Sequence, residues 1–362
     1  MGSPDHILLA TILGLVAFGL VMVYSSSSYS ALVRFDDSLH YFRRQGTWAL
    51  LGFSAFALMA RIDYAIYRRH ARPILFFGMM LLAVSLIPGV GVVARGSQRA
   101  IMVGPLSVSP AELIKLCLVI YLAHTMCRAP AKMRSFTAGV WPPLLVVGVA
   151  TGMILLQPDL GTAITVAGTA FFLLYAAGAR PLHLLALLMA AGPAVWYLIS
   201  SEPYRMNRFV AFLDPWADPM GSGFHIIQSL YALGAGRLLG TGLGASHQKF
   251  LYLPEQHTDF IFAIVGEELG FLGAMVVIGL FGTLLWRGLT AAARAPDAFG
   301  SLLASGITIM IVLQAVINIG VVTSVMPITG IPLPFISYGG SSLMVTLMSA
   351  GILLSISRYG NA

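Results

Sequence analysis

Residues 260–286 read FIFAIVGEELGFLGAMVVIGLFGTLLW, an apolar run that contains two adjacent acids, Glu267 and Glu268. A helix needs about 20 apolar residues to cross the hydrocarbon core of a bilayer, and this run has 27. An ionised side chain at the bilayer centre costs about 2.5–3.5 kcal/mol on insertion scales. The run therefore predicts a membrane-spanning helix in which at least one carboxylate finds a donor on a neighbouring helix. We expect the role of these two acids to be structural.

Apolar runs of this kind recur along the whole chain. Of its 362 residues, 58% are hydrophobic and 10% are charged, whereas soluble domains have about 25% charged residues. The runs are continuous blocks, which argues against the alternating pattern of a membrane β-barrel. The sequence thus predicts an all-α, polytopic integral membrane protein with about ten transmembrane helices. The predicted spans are residues 7–24, 46–60, 73–88, 110–127, 138–156, 161–177, 181–200, 260–286, 300–323 and 341–356.

The basic residues predict the orientation of these helices. Short cytoplasmic connections are enriched in lysine and arginine, and ten spans place both ends of the chain on one side. The short loops on that side carry more basic residues, which predicts a multi-pass protein of the bacterial cytoplasmic membrane with both termini in the cytoplasm. The same pattern accounts for the net charge of +7, so no nucleic-acid partner is expected. The basic residues on that side are Arg61, Arg68, Arg69, Arg72, Arg128, Lys132, Arg134, Arg180, Arg287, Arg294 and Arg358.

We interpret residues 1–362 as a single membrane domain with one large extracytoplasmic loop, residues 201–258. A structureless loop of this length is uncommon in a compact protein. Residues 225–233 are amphipathic, and a cluster of glycines follows them. The loop is therefore predicted to be structured, with short helices at the outer membrane surface.

Two charged residues lie within the fourth span. Glu112 and Lys115 are three residues apart, so they share one face of a helix. One interpretation is an ion pair within the helix that satisfies both charges. The other is that the pair lines a polar cavity, where Lys115 helps to hold an anionic group.

Two aspartates lie where a helix is expected to begin. Asp159, in residues 157–162 (QPDLGT), either caps the helix after a tight outer turn or has a buried partner. Asp259 immediately precedes the eighth span. It either caps that helix or accepts a proton at the mouth of the bundle, next to His257 and Glu255. Both alternatives stay open for each aspartate.

Basic residues of the outer connections form a second group of candidates. Guanidinium forks match phosphate oxygens, so together these residues could bind a pyrophosphate, whereas individually they could contact lipid headgroups. The sequence holds no His/Cys metal cluster, no phosphate-binding glycine loop and no Ser-His-Asp arrangement at a usable spacing. The basic candidates are Arg95, Arg99, Arg205, Arg208 and Lys249.

The connection between the last two spans cannot be a plain helix. Residues 327–342, PITGIPLPFISYGGSS, contain three prolines and three glycines. Non-helical backbone at membrane depth is tolerated where it is buried against protein or lines a wet cavity. This stretch predicts a re-entrant segment at the wall of a cavity.

Three of these motifs resemble signature regions of one family. Residues 157–163 (QPDLGTA), 253–270 (LPEQHTDFIFAIVGEELG) and 327–343 (PITGIPLPFISYGGSSL) are similar to regions of the SEDS proteins of shape, elongation, division and sporulation. Residues 204–271 resemble the FtsW and SpoVE branch of that family more than the RodA branch. The resemblance covers nearly the whole chain, and its motifs are long and specific.

The resemblance implies a ten-span fold and a peptidoglycan glycosyltransferase that polymerises lipid II at the outer face of the cytoplasmic membrane, in division or sporulation. It implies that Asp259 is the essential aspartate of the outer loop. It also implies that Glu112 and Lys115 are the important acid and lysine of the fourth span, and that Asp159 is the aspartate of the QPDLGT turn. Further candidate substrate-binding residues are His257 and Ser337.

Two positions depart from the family pattern. Family members often have tryptophan after the arginine at position 99, whereas this chain has Ala100, which has no ring to stack on a sugar or lipid. His225 replaces the usual glutamine. Neither change removes a charged group of the predicted site.

The implied chemistry is an inverting glycosyl transfer. The 4-hydroxyl of an incoming GlcNAc attacks the anomeric carbon of lipid II, with Asp259 as the candidate base. The basic residues would stabilise the departing undecaprenyl pyrophosphate, and a divalent cation, Mg²⁺ or Mn²⁺, is a candidate to share that task. Expected partners are lipid II, a class B penicillin-binding protein that crosslinks the strands, and other division or sporulation proteins. The alternative function is a lipid II flippase, because many spans, broken helices and intramembrane charges are also typical of transporters.

Overall fold

Thirteen α-helices and one small sheet were found in a computed structural model, which describes residues 2–88, 91–94, 97–104, 106–246 and 256–359. The helices are α1 (His6–Phe35), α2 (His40–Arg61), α3 (Ala65–Arg69), α4 (Ala71–Ser85), α5 (Pro110–Cys127), α6 (Trp141–Leu155), α7 (Leu160–Ala176), α8 (Pro181–Ser200), α9 (Pro203–Leu213), α10 (Phe224–Gly236), α11 (Ile261–Ala293), α12 (Ala298–Val322) and α13 (Gly340–Ser357). The strands are β1 (Gly91–Ala94), β2 (Ser97–Val103) and β3 (Leu106–Val108). Short 3₁₀ turns span Pro130–Arg134 and Pro215–Ala217, and a π-helical turn spans Phe136–Val140.

Each of the ten predicted spans coincides with a helix of the structure. Among the described residues, seven helices are long and apolar enough to cross a membrane, and two shorter helices, α4 and α7, are also apolar. The prediction of an all-α, multi-pass membrane protein is therefore confirmed. The number of ten spans stays a prediction, since α2 carries Arg43 and Arg44 near its start.

Helices α5, α12 and α13 form the centre of the bundle. In the apolar stretches of α5, α12 and α13, 78%, 72% and 72% of the residues are buried, respectively. The corresponding share in α8 is 11%, so α8 lies at the periphery. Helices α2 and α13 pack closely at a glycine on each helix. A Cβ atom built on Gly52 of α2 would lie 2.6 Å from Leu347 Cδ1, and one built on Gly351 of α13 would lie 2.6 Å from the Phe56 carbonyl oxygen. Small residues allow this kind of close backbone approach between membrane helices.

The two ends of the described chain lie together at one end of the bundle. Gly2 N donates to the Arg358 carbonyl at 3.1 Å, and the Asp5 carboxylate accepts from Arg287 Nε at 2.8 Å. We call this the basic end, defined by Arg287 and Arg358. Helices α9 and α10 lie in the connection at the opposite end, which we call the outer-loop end.

The large loop contains the short helices that were predicted for it. The amphipathic stretch 225–233 lies inside α10, which packs on α11. Its Ile226, Ile227 and Ala232 are buried, and Ser229 Oγ donates to the Val322 carbonyl at 2.8 Å. The interpretation of residues 1–362 as one domain stays a prediction.

Helix α11 is broken at Gly270, a feature that the apolar pattern of residues 260–286 did not predict. Gly270 has φ of +68° and ψ of −167°, which is not helical. Residues 237–242 run beside the break, where Thr241 N donates to the Glu267 carbonyl at 2.9 Å and Phe271 N donates to the Arg237 carbonyl at 2.9 Å. These bonds satisfy backbone groups that have no helical partner at the break. Backbone polar groups inside a membrane must be hydrogen-bonded within the protein.

Both acids of this run are buried and accept hydrogen bonds from serine hydroxyls. Ser25 Oγ of α1 donates to Glu268 Oε2 at 2.6 Å, and Ser246 Oγ donates to Glu267 Oε2. The expectation of a donor on a neighbouring helix is confirmed for Glu268.

A small antiparallel sheet, in the order β1-β2-β3, lies between α4 and α5 in the chain. Val92 pairs with Ala100, and Met102 pairs with Ser107. The sheet was not predicted, and it is a minor addition to a helical fold.

The segment between α12 and α13 is non-helical, as predicted. Residues 323–339 have no regular secondary structure, and Ile331, Leu333, Phe335, Ile336 and Ser337 are buried. The segment packs inside the bundle at the outer-loop end, where it separates two cavities.

Candidate active site

A cavity of about 310 Å³ lies at the outer-loop end of the bundle. Its walls are formed by α7, α8 and α9, together with Asp259 and residues 327–330 of the non-helical segment. The α7 and α8 walls are apolar, and they include Ile164, Val195 and Ile199. Asp259 is buried, with 9% of its surface exposed. We call this cavity the aspartate cavity.

Asp259 does not cap the helix that follows it. Helix α11 begins at Ile261, and its N-cap residue is Phe260, which makes no side-chain cap bond. The N-cap interpretation of Asp259 is therefore wrong. A Cβ atom built on Gly330 would lie 3.6 Å from Asp259 Oδ2, so the carboxylate lies against the non-helical segment.

Arg205 and Arg208 border the aspartate cavity from α9. Arg205 donates from Nε to the Tyr204 hydroxyl at 2.9 Å and from Nη1 to the Leu198 carbonyl at 3.0 Å. The guanidinium carbons of the two arginines lie 5.4 and 5.8 Å from the centre of the Tyr204 ring, within the range of cation–π attraction. Arg205 is buried and oriented by these contacts, whereas Arg208 is exposed. Two predicted cations and the predicted base thus share one cavity.

A second cavity, of about 330 Å³, meets the first at Gly330, which lines both. Glu112, Asp159 and Tyr338 border it. Asp159 accepts from Thr162 N at 3.0 Å, so its interpretation as the N-cap of α7 is confirmed. Burial raises the pKa of Tyr338 above its ordinary value.

The pair in the fourth span forms as an intrahelical ion pair. Glu112 Oε2 lies 2.9 Å from Lys115 Nζ, and Nζ also donates to Gln314 Oε1 of α12 at 2.6 Å. Glu112 borders the second cavity. Lys115 is 5% exposed and borders a void of about 10 Å³, which has room for about one water molecule. Contact between Lys115 and an anionic substrate group stays a prediction.

Replacing Lys115 with methionine is expected to destabilise the protein strongly. The substitution approximately keeps the side-chain volume and leaves the Glu112 carboxylate buried without its ammonium partner. Loss of one member of a buried ion pair costs about 3–5 kcal/mol, so we expect a lower Tm in detergent. The double variant Lys115→Met/Glu112→Gln removes both charges and should recover most of this loss. A single variant as stable as the wild type would contradict the prediction.

Three other basic residues were predicted to bind substrate. Arg95 and Lys249 lie outside the described residues. Arg99 belongs to β2, which packs near α4 and α5. A role in substrate binding stays a prediction for all three.

His257 and Ser337 lie beside Asp259 but are held in different ways. The His257 ring lies 4.6 Å from the Tyr41 ring and 5.5 Å from the Tyr338 ring, measured between centres. The Ser337 hydroxyl donates to the Thr258 carbonyl at 2.6 Å. His257 is part of an aromatic cluster, and Ser337 ties the non-helical segment to the backbone before α11.

Three residues at the site were not predicted. Tyr204 orients Arg205, Gln314 contacts Lys115, and Asn318 contacts the backbone of Asp259. Gln314 and Asn318 are four residues apart in an apolar span, so they share one helix face. That spacing was a usable signal for a polar contact, whereas no comparable pattern marked Tyr204.

The predicted divalent cation would bind through oxygen ligands. Within the described residues, no three His, Cys, Asp or Glu side chains come together as potential metal ligands. Mg²⁺ is often bound through one or two carboxylates together with substrate phosphates. Asp259 would supply one such carboxylate, with substrate phosphates as further ligands. The cation stays a prediction.

These features define a multi-pass helical membrane protein with a carboxylate and two guanidinium groups in a cavity at one end of its bundle. A profile of the cell cycle protein family of FtsW, RodA and SpoVE matches residues 5–362. The chain belongs to this family, and the family predicted from the sequence is confirmed.

Similar proteins match over almost the full length of the chain. It is 47% identical over 357 residues to stage V sporulation protein E of Bacillus subtilis, covering 99% of this chain and 98% of that protein. It is 43% identical over 353 residues to a probable peptidoglycan glycosyltransferase FtsW of Geobacter metallireducens, covering 98% of this chain and 94% of that protein. A chain solved in work on the structural coordination of polymerization and crosslinking by a peptidoglycan synthase complex matches over 98% of both chains, with a TM-score of 0.81 and 32% identity. The rod shape determining protein RodA of Thermus thermophilus matches over 98% of this chain and 97% of its own, with a TM-score of 0.72 and 30% identity.

Proposed function

We propose that this chain is a peptidoglycan glycosyltransferase that polymerises lipid II into β-1,4 glycan strands during division or sporulation. Relatives at 43–44% identity carry the name probable peptidoglycan glycosyltransferase FtsW, which supports this enzyme class. The observation that carries the lipid II proposal is the single cavity in which the Asp259 carboxylate lies with Arg205 and Arg208. The test is the formation of glycan polymer from purified lipid II by the detergent-solubilised protein.

Asp259 acts as the general base in this proposal. The 4-hydroxyl of the acceptor GlcNAc attacks the anomeric carbon of the donor, and the bond from that carbon to the lipid pyrophosphate breaks. A single displacement converts the α linkage of the donor into a β linkage. The hydroxyl proton passes to the Asp259 carboxylate, and the electron pair of the broken bond leaves with undecaprenyl pyrophosphate.

The two arginines stabilise the departing pyrophosphate. Charge develops on the phosphate oxygens as the glycosidic bond breaks, and fixed cations at that position lower the barrier. Arg205 is held by the Tyr204 hydroxyl and the Leu198 carbonyl, so it is oriented before the substrate binds. Arg208 is exposed and lies on the same helix. When bound, a divalent cation would add positive charge at these phosphates, and removal of Mg²⁺ and Mn²⁺ with a chelator tests that contribution.

The lipid tail enters between α7 and α8. Helix α8 is exposed over most of its length, and the wall that it shares with α7 is apolar, through Ile164, Val195 and Ile199. A cavity that combines this apolar wall with the charged groups of Asp259, Arg205 and Arg208 suits a substrate with a long prenyl chain and a charged head.

The aspartate cavity faces outward, and both termini lie in the cytoplasm. The cavity lies at the outer-loop end, opposite to the basic end with Arg287 and Arg358. Excess lysine and arginine favour the cytoplasmic side. Labelling of single cysteines near each end in intact cells tests this orientation.

A class B penicillin-binding protein is the proposed partner. The similar chain from the peptidoglycan synthase complex is associated with both polymerization and crosslinking, and this chain has the same fold. Co-purification with the cognate transpeptidase, and polymer assays with and without it, test the partnership. Other division or sporulation proteins are further proposed partners.

Replacing Arg208 with alanine is expected to raise the lipid II concentration needed for half-maximal activity. The substitution removes one of two guanidinium groups from the cavity, and one charge-assisted hydrogen bond contributes about 1.5–3 kcal/mol, so we expect an increase of about tenfold or more. Lipid II titration measures this effect. Arg134→Ala is the matched control, because Arg134 is an exposed arginine of the predicted cytoplasmic side. Equal titration curves for Arg208→Ala and the wild type would assign Arg208 to the lipid headgroups instead.

A lipid II flippase is the second candidate function. The break in α11 at Gly270 and the non-helical segment between α12 and α13 favour it, because broken helices are typical of transporters. Detergent micelles have no two sides, so polymer formed in detergent is a product of glycosyl transfer. Transport without polymer, in vesicles that contain the transpeptidase, would support the flippase.

A further inference from the structure

The backbone before α11 is held through three consecutive carbonyl groups, those of residues 257–259. Each accepts a hydrogen bond from a group that is far away in the sequence. The three bonds run from Tyr338 N to His257 O at 2.8 Å, from Ser337 Oγ to Thr258 O at 2.6 Å, and from Asn318 Nδ2 to Asp259 O at 2.7 Å. We call these three bonds the carbonyl clamp.

Asn318 links the clamp to the wall of the aspartate cavity. Its Nδ2 also donates to the Ile331 carbonyl at 2.8 Å, so both amide hydrogens are used. Asn318 is 1% exposed. Ile331 follows Gly330, which lies against the Asp259 carboxylate. One buried amide thus sets the distance between the backbone of Asp259 and the segment that its side chain faces.

Ser337 forms the second bond of the clamp. Its hydroxyl donates to the Thr258 carbonyl and accepts from Leu333 N at 2.8 Å. It is 4% exposed. Two bonds within the protein therefore occupy a hydroxyl that the sequence motif had assigned to substrate binding.

The clamp matters because Asp259 lies outside the regular helix. Helix α11 starts two residues later, so helical hydrogen bonds do not fix the direction of the Asp259 side chain. Proton transfer requires contact within hydrogen-bond reach, and a misplacement of about 1 Å can cost about 100-fold in rate. The geometry points to Asn318 and Ser337 as positioning residues, which hold Asp259 where it can accept the acceptor hydroxyl proton; this inference rests on the proposed function.

Asn318→Leu and Ser337→Ala test the inference. Each variant removes clamp bonds and leaves the Asp259 carboxylate in place. We expect kcat per folded molecule to fall by about 10- to 100-fold, with the KM for lipid II unchanged. Thr308→Val is the matched control, because Thr308 is a buried polar residue of the same helix whose hydroxyl bonds locally to Ala304 O at 2.8 Å. Its kcat and KM should stay at the wild-type values.

Two kinetic outcomes would overturn the inference. A raised KM with an unchanged kcat for Ser337→Ala would return that residue to substrate binding. If the activity of both clamp variants falls only in proportion to the fraction of folded protein, the bonds have a purely structural role. A wild-type protein that forms no polymer, with or without its partner, would instead reject the proposed function.

Hydrogen exchange provides a readout that does not depend on activity. Both clamp variants should exchange faster than Thr308→Val in peptides that cover residues 256–262 and 327–339, with the rest of the bundle unchanged. If Asn318→Leu does not fold, Ser337→Ala still tests the clamp, because it removes the bond to the Thr258 carbonyl. Unchanged exchange in both regions would show that the clamp does not hold the backbone before α11.

Discussion

Replacing Asp259 with asparagine is expected to reduce lipid II polymerisation by about 100- to 10,000-fold, the usual contribution of a general base. Asparagine has nearly the same shape as aspartate, but its amide cannot accept the hydroxyl proton. The side chain lies outside helix α11 and makes no cap bond there, so the substitution should not weaken the start of that helix. We expect an unchanged Tm and an unchanged complex with the transpeptidase. The measurement is the rate of glycan polymer formation in detergent, with and without the partner.

The matched control for this experiment is Glu202→Gln. Glu202 is an exposed acid at the start of α9, at the same end of the bundle, and it makes no side-chain cap bond. Its neutralisation should leave the polymerisation rate at the wild-type level. Full activity of Asp259→Asn would rule out the general-base role and leave the aspartate a positioning or metal-binding function.

Replacing Gly270 with alanine is expected to abolish the folded protein. Gly270 has φ of +68° and ψ of −167°, a region of backbone conformation that is essentially restricted to glycine and costs about 1–3 kcal/mol for other residues. A Cβ atom at this position would also meet backbone atoms of residues 238–240, including Leu238 O at 2.6 Å. Backbone atoms cannot move away as a flexible side chain can. Residues 237–242 and the break in α11 would therefore move apart and lose their backbone hydrogen bonds.

The control for this prediction lies in the same helix. No heavy atom lies within 4 Å of a Cβ atom built on Gly279, and alanine is favoured over glycine in a helix by about 1 kcal/mol. Gly279→Ala should therefore purify as well as the wild type, whereas Gly270→Ala should aggregate or be degraded. Size-exclusion chromatography in detergent and the yield of membrane-inserted protein measure the difference. A monodisperse Gly270→Ala protein with a normal Tm would contradict the prediction.

The helical positions were predictable because their causes are local. A block of about 20 apolar residues is sufficient to indicate a membrane helix, and all ten predicted spans coincide with helices. The Glu112–Lys115 pair was predictable for the same reason, since a spacing of three residues on a helix brings two side chains together. The N-cap role of Asp159 follows from a short motif.

The break in α11 was not predictable from hydrophobicity. Glycine occurs at several places in residues 260–286, and an apolar pattern does not distinguish a helical glycine from one with positive φ. The break at Gly270 depends on residues 237–242, which lie about 30 residues earlier in the chain. The N-cap interpretation of Asp259 was wrong for a similar reason, because contacts with α12 and the non-helical segment determine its position.

Hydropathy, helical spacing and short motifs were sufficient to predict the membrane class, the helices, the family and the residue types that the chemistry requires. Which of those residues meet follows from the packing of the whole chain: Asp259 lies with Arg205 and Arg208 in one cavity, and the amide of Asn318 ties Asp259 to Ile331. The difference arises from how far apart in the chain the interacting residues lie. Hydrophobicity and helical spacing act between residues close in the chain, whereas hydrogen bonds between buried groups depend on how distant segments pack.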